Sequence, residues 1–257
     1  MLSYFSKYWF DFVYVMTLKE IKARYKRVFL GFIWVILNPI LQMLVIGFVF
    51  QFFIPVKIDN YFYFLFSGLL PWNFFSYTII KCTPLILNER YLIQKAHFPR
   101  EALILSVVFS NLFHFLISLV LFICLALFLG LFQLSQLFAL LFAIFLIIIL
   151  VIGISLLLAT LFVKFRDIKF IIQAIVPLWF YATPVMYTRS LLPEQIRNLI
   201  ILNPMTGIVE LFQSVFMKGI IVIDWTSVIW AFCFSVMTLA LGVYLFFKDS
   251  QYFDDWL

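Results

Sequence analysis

"LFALLFAIFLIIILVIGISLLLATLFV", residues 137–163, carries no charged side chain, and its only hydroxyls are Ser155 and Thr160. A helix rises about 1.5 Å per residue, so roughly 20 apolar residues cross the ~30 Å hydrocarbon core of a bilayer. The stretch is longer than that. It also lacks the in–out alternation of a barrel strand. Within lipid, backbone N–H and C=O groups must find partners inside the segment, so the stretch reads as a membrane-spanning α-helix.

Working outward, comparable windows lie at about 28–54, 61–87, 102–132, 170–187 and 226–247. Together with 137–163 they predict six transmembrane helices. The whole chain is 66% hydrophobic, 21% aromatic and 12% charged, with a mean hydropathy of +1.13. A soluble domain cannot hide that much apolar surface. The expectation is an all-α integral membrane protein with one transmembrane domain over residues 1–257. There is no sizeable soluble domain, no low-complexity linker and no internal repeat. The opening "MLSYFSKYWFDFVYVM" has neither a basic start nor a small-residue cleavage site, so no cleavable signal is predicted.

Charge orients the predicted helices. Lys7, Lys19, Lys22, Arg24, Lys26 and Arg27 precede the first span. Arg90, Lys95 and Arg100 follow the second, and Lys164, Arg166 and Lys169 follow the fourth. The loop after the first span holds Lys57 alone, and "QLSQ" after the third holds no base. The positive-inside rule then puts both termini, the 88–101 loop and the 164–169 loop in the cytoplasm. The net charge of +6 reports topology and contact with anionic lipid, and it is no argument for nucleic acid.

Three segments depart from the spanning pattern. Residues 1–27 place Tyr4, Phe5, Tyr8, Trp9 and Phe12 against Ser3, Lys7 and Asp11, which predicts an amphipathic helix lying in the cytoplasmic interface. Residues 188–219 are too polar to span and split at Asn203-Pro204, an N-cap followed by a first-turn proline. They predict a re-entrant helical segment on the outer face before the last span. "NERYLIQKAHFPRE", residues 88–101, interrupts two apolar runs with charge. Asn88 is placed to cap a short helix over 90–96, Glu89 opposes its dipole, and Pro99 ends it by disfavouring helix at Phe98. Tyr91, Leu92 and Lys95 would share a face, with Tyr91 and Leu92 as an apolar knob. Such a loop is either a plain basic connector or a handle for a soluble motor.

Several chemistries are missing. No glycine is followed by lysine, so there is no phosphate loop, and no HExxH, GxSxG or paired-cysteine motif occurs. Cys82, Cys124 and Cys233 read as small core residues, with no redox or metal role. His114 with Asn111 reads as a helix–helix hydrogen-bonding contact. Ionisable residues deep in the spans, the usual mark of an ion path, are nearly absent. Lys81 can snorkel and Glu210 falls on the outer segment. The energy for any transport must come from elsewhere.

"LKEIKARYKRVFLGFIWVILNPILQMLV" (18–45) resembles the start of the permease subunit of polysaccharide-exporting ABC transporters, the exporters of O-antigen, teichoic acid and capsule. The shared pattern is LKxRY, then LGxxWxxxxP, carried here by Lys22, Arg24, Tyr25, Leu30, Gly31, Trp34 and Pro39. "SGLLPWNFFS" (67–76), "NERYLIQKAHFPRE" (88–101), "FRDIK" (165–169) and "TPVMY" with the later LP and NP (183–204) are similar to the family's remaining segments, in the same order.

The resemblance implies a half-transporter. Two copies form the channel, and two separate subunits hydrolyse ATP with magnesium, so this chain carries no cofactor, metal or catalytic residue. It implies a bacterial cytoplasmic membrane and a lipid-linked polysaccharide substrate. It makes Asn88, Arg90, Tyr91, Leu92, Lys95, Phe98, Pro99 and Arg100 the coupling segment, with Lys22, Arg24 and Tyr25 at the interface. Aromatic faces can stack on sugar rings, so Trp34, Trp72, Phe74, Phe75, Trp179, Phe180 and Tyr181 are the channel candidates. Pro39 and Pro177 are candidates to kink their helices around a lumen. The alternatives are an ABC exporter of a small lipid or drug, an intramembrane glycolipid-modifying enzyme and a structural scaffold. The enzyme needs a cluster of His, Asp or Arg at one membrane face, which the sequence does not show.

Overall fold

The computed structural model describes residues 7–26, 33–53, 58–95, 98–132, 134–217 and 223–253. Among them the α-helices are α1 (Lys7–Tyr25), α2 (Trp34–Phe53), α3 (Tyr61–Cys82), α4 (Leu85–Asn88), α5 (Arg90–Lys95), α6 (Glu101–Phe128), α7 (Leu137–Lys164), α8 (Ile168–Tyr181), α9 (Glu194–Ile200), α10 (Pro204–Phe216) and α11 (Trp225–Ser250). No strand occurs among the described residues.

Four of these, α2, α6, α7 and α11, are long and apolar enough to cross a bilayer. α9 and α10 make a fifth if they count as one span bent by 98°. Length and composition thus support four to five of the predicted six, and the remainder turns on α3 and α8. α3 has the length, 22 residues or about 33 Å, but Pro71, Trp72, Asn73 and its tyrosines dilute its hydropathy. It can afford them because it is central: most of its residues are buried, against α2, α6, α7, α8 and α10. α8 stops at Tyr181, so its 14 residues reach only about 21 Å, short of the window read at 170–187.

Local chemistry sets the other boundaries. α6 ends at Phe128 because Gly130 takes a left-handed φ of 70°, and Leu131 N–H reaches back to the Ala126 carbonyl at 2.9 Å. That glycine C-cap explains why the helix stops short of residue 132. Asn203 and Pro204 start α10 as their residue types predict. The Asn203 side chain accepts from Met205 N–H at 3.0 Å, and Pro204 occupies the first turn. Pro39 inside α2 denies the Val35 carbonyl its helical partner, and Ser118 on α6 donates to that carbonyl at 3.4 Å.

A close helix crossing joins α7 to α11 at Gly153 and Gly242. A Cβ on Gly153 would stand 2.5 Å from the Leu239 backbone nitrogen, and one on Gly242 would strike the Gly153 carbonyl. Small residues let helix backbones approach where lipid offers no hydrophobic drive.

The bundle has two distinct ends. Residues 82–95 and 98–101, Lys164 and Asp249 gather at one, with Lys164 Nζ 2.6 Å from Asp249 Oδ2. At the other, Tyr61 donates to the Met186 carbonyl at 2.8 Å, and Tyr63 and Phe132 both pack on Phe216. α1 lies along α6, with Trp9 donating to Glu101 at 3.1 Å and Phe12 stacked on Phe98 at 4.8 Å between centroids. Of the predicted interfacial segment, residues 1–6 and 27 lie outside the described residues.

Candidate functional site

The charged segment forms one short helix, α5, and the end of the apolar window before it forms a separate turn, α4. Asn88 is the exposed last residue of α4, which corrects the reading of it as the cap of the following helix. α5 starts instead on Glu89, whose carbonyl accepts from Leu92 N–H at 2.9 Å and Ile93 N–H at 3.1 Å. Glu89 is also 3.8 Å from Lys19 of α1. The knob needs correcting too. Tyr91 projects, 64% exposed, with the Arg90 guanidinium 5.1 Å over its ring. Leu92 turns inward against the core and Ile93 is 5% exposed. Helical spacing explains the split: Arg90, Tyr91, Gln94 and Lys95 share the outward face, while 92 and 93 fall on the other.

Ala96 and His97 lie outside the described residues. Phe98 and Pro99 are non-helical, in keeping with the proline, and α6 begins at Glu101. Arg100 sits 6.0 Å over the ring of Phe253, beyond α11. α1 braces the same region through Glu20, which pairs with Lys81 near the end of α3. The outward face of α5 is thus carried by a segment tied to α1, α3, α6 and α7.

Beyond this segment, α2, α3 and α6 enclose a cavity of about 600 Å³. Its walls include Trp34, Asn38 and Pro39 of α2, Asn73, Phe74 and Tyr77 of α3, and Asn111, His114 and Phe115 of α6. Arg24 closes it, donating to Asn111 and to the His114 ring nitrogen Nδ1 at 3.0 Å. Asn111 in turn donates to Thr78 at 3.1 Å. His114 and Asn111 are therefore helix-joining groups, and Arg24 is drawn into their network. Lys22 is exposed, and the Tyr25 side chain lies outside the description.

The predicted aromatic track divides. Trp34 is 43% exposed and faces the cavity, and Phe74 lines it from a buried position. Trp72 and Phe75 are 5% and 0% exposed, so as residues of a single chain they are packing groups, not lumen faces. Phe180 packs on Trp72 at 5.4 Å and Trp179 on Phe75 at 5.1 Å, which seats α8 against α3. Of the three α8 candidates, Trp179, Phe180 and Tyr181, only Tyr181 is exposed, at 65%. The short helix is held there by Asn203. Its oxygen also accepts from Trp179 at 2.8 Å, and its nitrogen donates to Ala182 at 3.1 Å and Thr183 at 2.8 Å.

At the end away from α5, Arg189 bridges Glu210 of α10 at 3.0 Å and Asp224, the cap of α11, at 2.8 Å. Burial raises the Asp224 carboxyl, but hydrogen bonds from Thr226 and Arg189 outweigh that and hold it below its ordinary value. Sequence reading missed this clamp because Arg189 lies 21 residues from Glu210 and 35 from Asp224. It also missed Ile93 and the Asn38–Tyr77 contact. Asn38 and Gln42, four apart in a greasy helix, were the visible signal for the latter. Among the described residues no group of three metal-ligating side chains occurs.

Residues 12–217 match the model of the ABC-2 type transporter family. The chain belongs to the ABC-2 type transporter family. This ABC-2 chain is 39% identical over 200 residues, 77% of both chains, to the O-antigen export system permease protein RfbA of Myxococcus xanthus. It is 30% identical over 244 residues to a protein of the same name from Klebsiella pneumoniae, covering 95% of this chain and 94% of that one. Similarity extends at 22% identity to the polysialic acid transport protein KpsM of Escherichia coli, over 91% of this chain and 92% of that one. In the ABC-2 frame, the matched region takes in most of α1 and every element from α2 to α10.

Proposed function

We propose that this chain is the permease half-subunit of an ATP-driven exporter that moves a lipid-linked polysaccharide across the bacterial cytoplasmic membrane. The observation that carries the reading is the 30% identity to an O-antigen export permease over 95% of the chain. A homodimer forms the pathway, and two ATP-binding subunits, with ATP and magnesium, drive it from the cytoplasm. The six crossings are α2, α3, α6, α7, α8 with the turns that follow it, and α11. The bent α9–α10 pair enters and leaves on the outer side, and both termini are cytoplasmic. That arrangement puts the basic stretches on one face, in line with the positive-inside rule.

The mechanism follows from the packing. The outward face of α5, led by Tyr91, docks on the ATP-binding subunit. α5 is anchored by Ile93 and braced by α1 through the Lys19–Glu89 and Glu20–Lys81 contacts. A rigid lever passes a displacement to α3 and α6, which wall the cavity, whereas a hinged one would absorb it. Deleting the gene in a polymer-producing bacterium tests the reading. Surface polymer is expected to disappear and lipid-linked polymer to build up inside, with both effects reversed by the intact gene. Undiminished surface polymer would overturn it.

A further inference from the structure

Two pairs of polar residues face each other across α2 and α3, and three of the four, Asn38, Asn73 and Tyr77, line the cavity. Asn38 and Gln42 are one turn apart on α2, and Asn73 and Tyr77 one turn apart on α3. Asn38 donates to the Tyr77 hydroxyl at 3.1 Å, Gln42 to the same oxygen at 3.2 Å, and Asn73 to the Gln42 carbonyl oxygen at 2.8 Å. Asn38 and Tyr77 are exposed, and the other two are half-buried. Their positions lie roughly 6–14 Å in from the helix ends nearest α5, well within hydrocarbon depth. Amides at that depth face a protein interior or a wet cavity, because lipid leaves them unpaired.

The network leaves much of its capacity unused. Tyr77 accepts two bonds, so its own O–H remains to donate. Asn38 and Asn73 each keep a carbonyl oxygen and one N–H with no partner among the described residues. The strip itself has no charge, which does not suit an ion. Its mixture of donors and acceptors matches hydroxyl groups, each of which does both. Trp34 stands one turn before Asn38 on the same stripe of α2, 43% exposed, and offers a flat apolar face beside the polar groups. A cavity of about 600 Å³ is in the size range of small-molecule sites.

The geometry points to Trp34, Asn38, Gln42, Asn73 and Tyr77 as a sugar-binding strip, its amide and phenol groups taking pyranose hydroxyls and Trp34 taking a ring face. This rests on the export reading above and names the surface on which the polymer moves. Uncharged hydrogen bonds at exposed positions are weak singly, which suits a chain that must slide.

The test places p-benzoylphenylalanine at position 38 or 77 in polymer-producing cells, with position 44 on the exposed apolar flank of α2 for comparison. Position 42 replaces 38 if that chain is not recovered with its ATP-binding partner. Glycan-bearing adducts are expected from the strip positions, not from position 44, and not in cells unable to assemble the polymer. Tyr77→Phe keeps the ring and removes the hydroxyl, and should lower the adduct yield at position 38 about fivefold. Adducts only with lipid or only with a second copy of the chain would overturn the strip, as would equal glycan yield at 44 or a yield unmoved by Tyr77→Phe. The gene deletion separates the two readings. If export needs the chain but the strip traps no glycan, only the strip fails.

Discussion

Replacing Tyr91 by alanine should separate docking from folding, because the two neighbouring side chains that could do either job are so differently buried. Tyr91 is 64% exposed and Ile93 is 5% exposed. Removing an exposed side chain changes the stability of the isolated subunit by no more than about 0.5 kcal/mol. If Tyr91 sits at the centre of an interface, the same change weakens docking by about 2 kcal/mol or more, close to 30-fold in Kd. Ile93→Ala reverses the balance: a truncated buried aliphatic costs about 2–5 kcal/mol of fold stability. Lys95→Ala removes an exposed charge and should cost less than about 1 kcal/mol at either level. The assay titrates the purified ATP-binding subunit onto the membrane subunit in nanodiscs and records a thermal melt of each variant alone. Tyr91→Ala should lose affinity with an unchanged melt, and Ile93→Ala should melt early. Normal affinity and normal export in Tyr91→Ala would make 88–101 a plain basic connector. An early melt in that variant would show that the ring supports the fold.

Three further outcomes are expected. Single cysteines in a chain lacking Cys82, Cys124 and Cys233 should label from the cytoplasm at positions 95 and 167 and from outside at 58 and 195; access to 195 from the cytoplasm alone would remove the six-crossing arrangement. Asn203→Ala removes the α10 cap and the bonds to Trp179, Ala182 and Thr183, so the melt should reveal a loss of about 2–4 kcal/mol, with Asn203→Asp intermediate because it keeps the accepted bonds. Asp224 is depressed, so its contribution is complete at neutral pH and is lost as the pH falls below the ordinary 3.8. Asp224→Asn should therefore lower the melt at neutral pH and flatten its acid limb, and an unaltered pH profile would show that the Arg189 contact contributes nothing.

Much of this protein is legible in its residues. Long unalternating apolar runs require helices in lipid, since a closed barrel, the other way to pair the backbone there, needs alternating strands. The residue types at Asn203-Pro204 and Pro99 mark breaks that the structure contains, because caps and prolines act through their immediate neighbours. The charged stretch at 88–101 stands out for the same local reason. Which of its side chains turn outward was not legible: Leu92 falls on the same side of α5 as the buried Ile93, and only packing against the core decides which side that is. Nor could hydropathy place α3. A helix mostly packed against protein can hold proline, asparagine and tyrosine where neighbours supply their hydrogen bonds, as α2 does for Asn73 and Tyr77, and a lipid-based scale undervalues it. The aromatic residues show the same limit. Trp34 and Trp72 are alike in sequence, yet one faces a cavity and the other is enclosed by Phe75 and Phe180. Local residue chemistry decides where helices start, stop and enter a membrane. Which face of each helix is inside depends on contacts between residues far apart in the chain, such as Asn38 with Tyr77 and Arg189 with Asp224, and only the packed bundle brings those together.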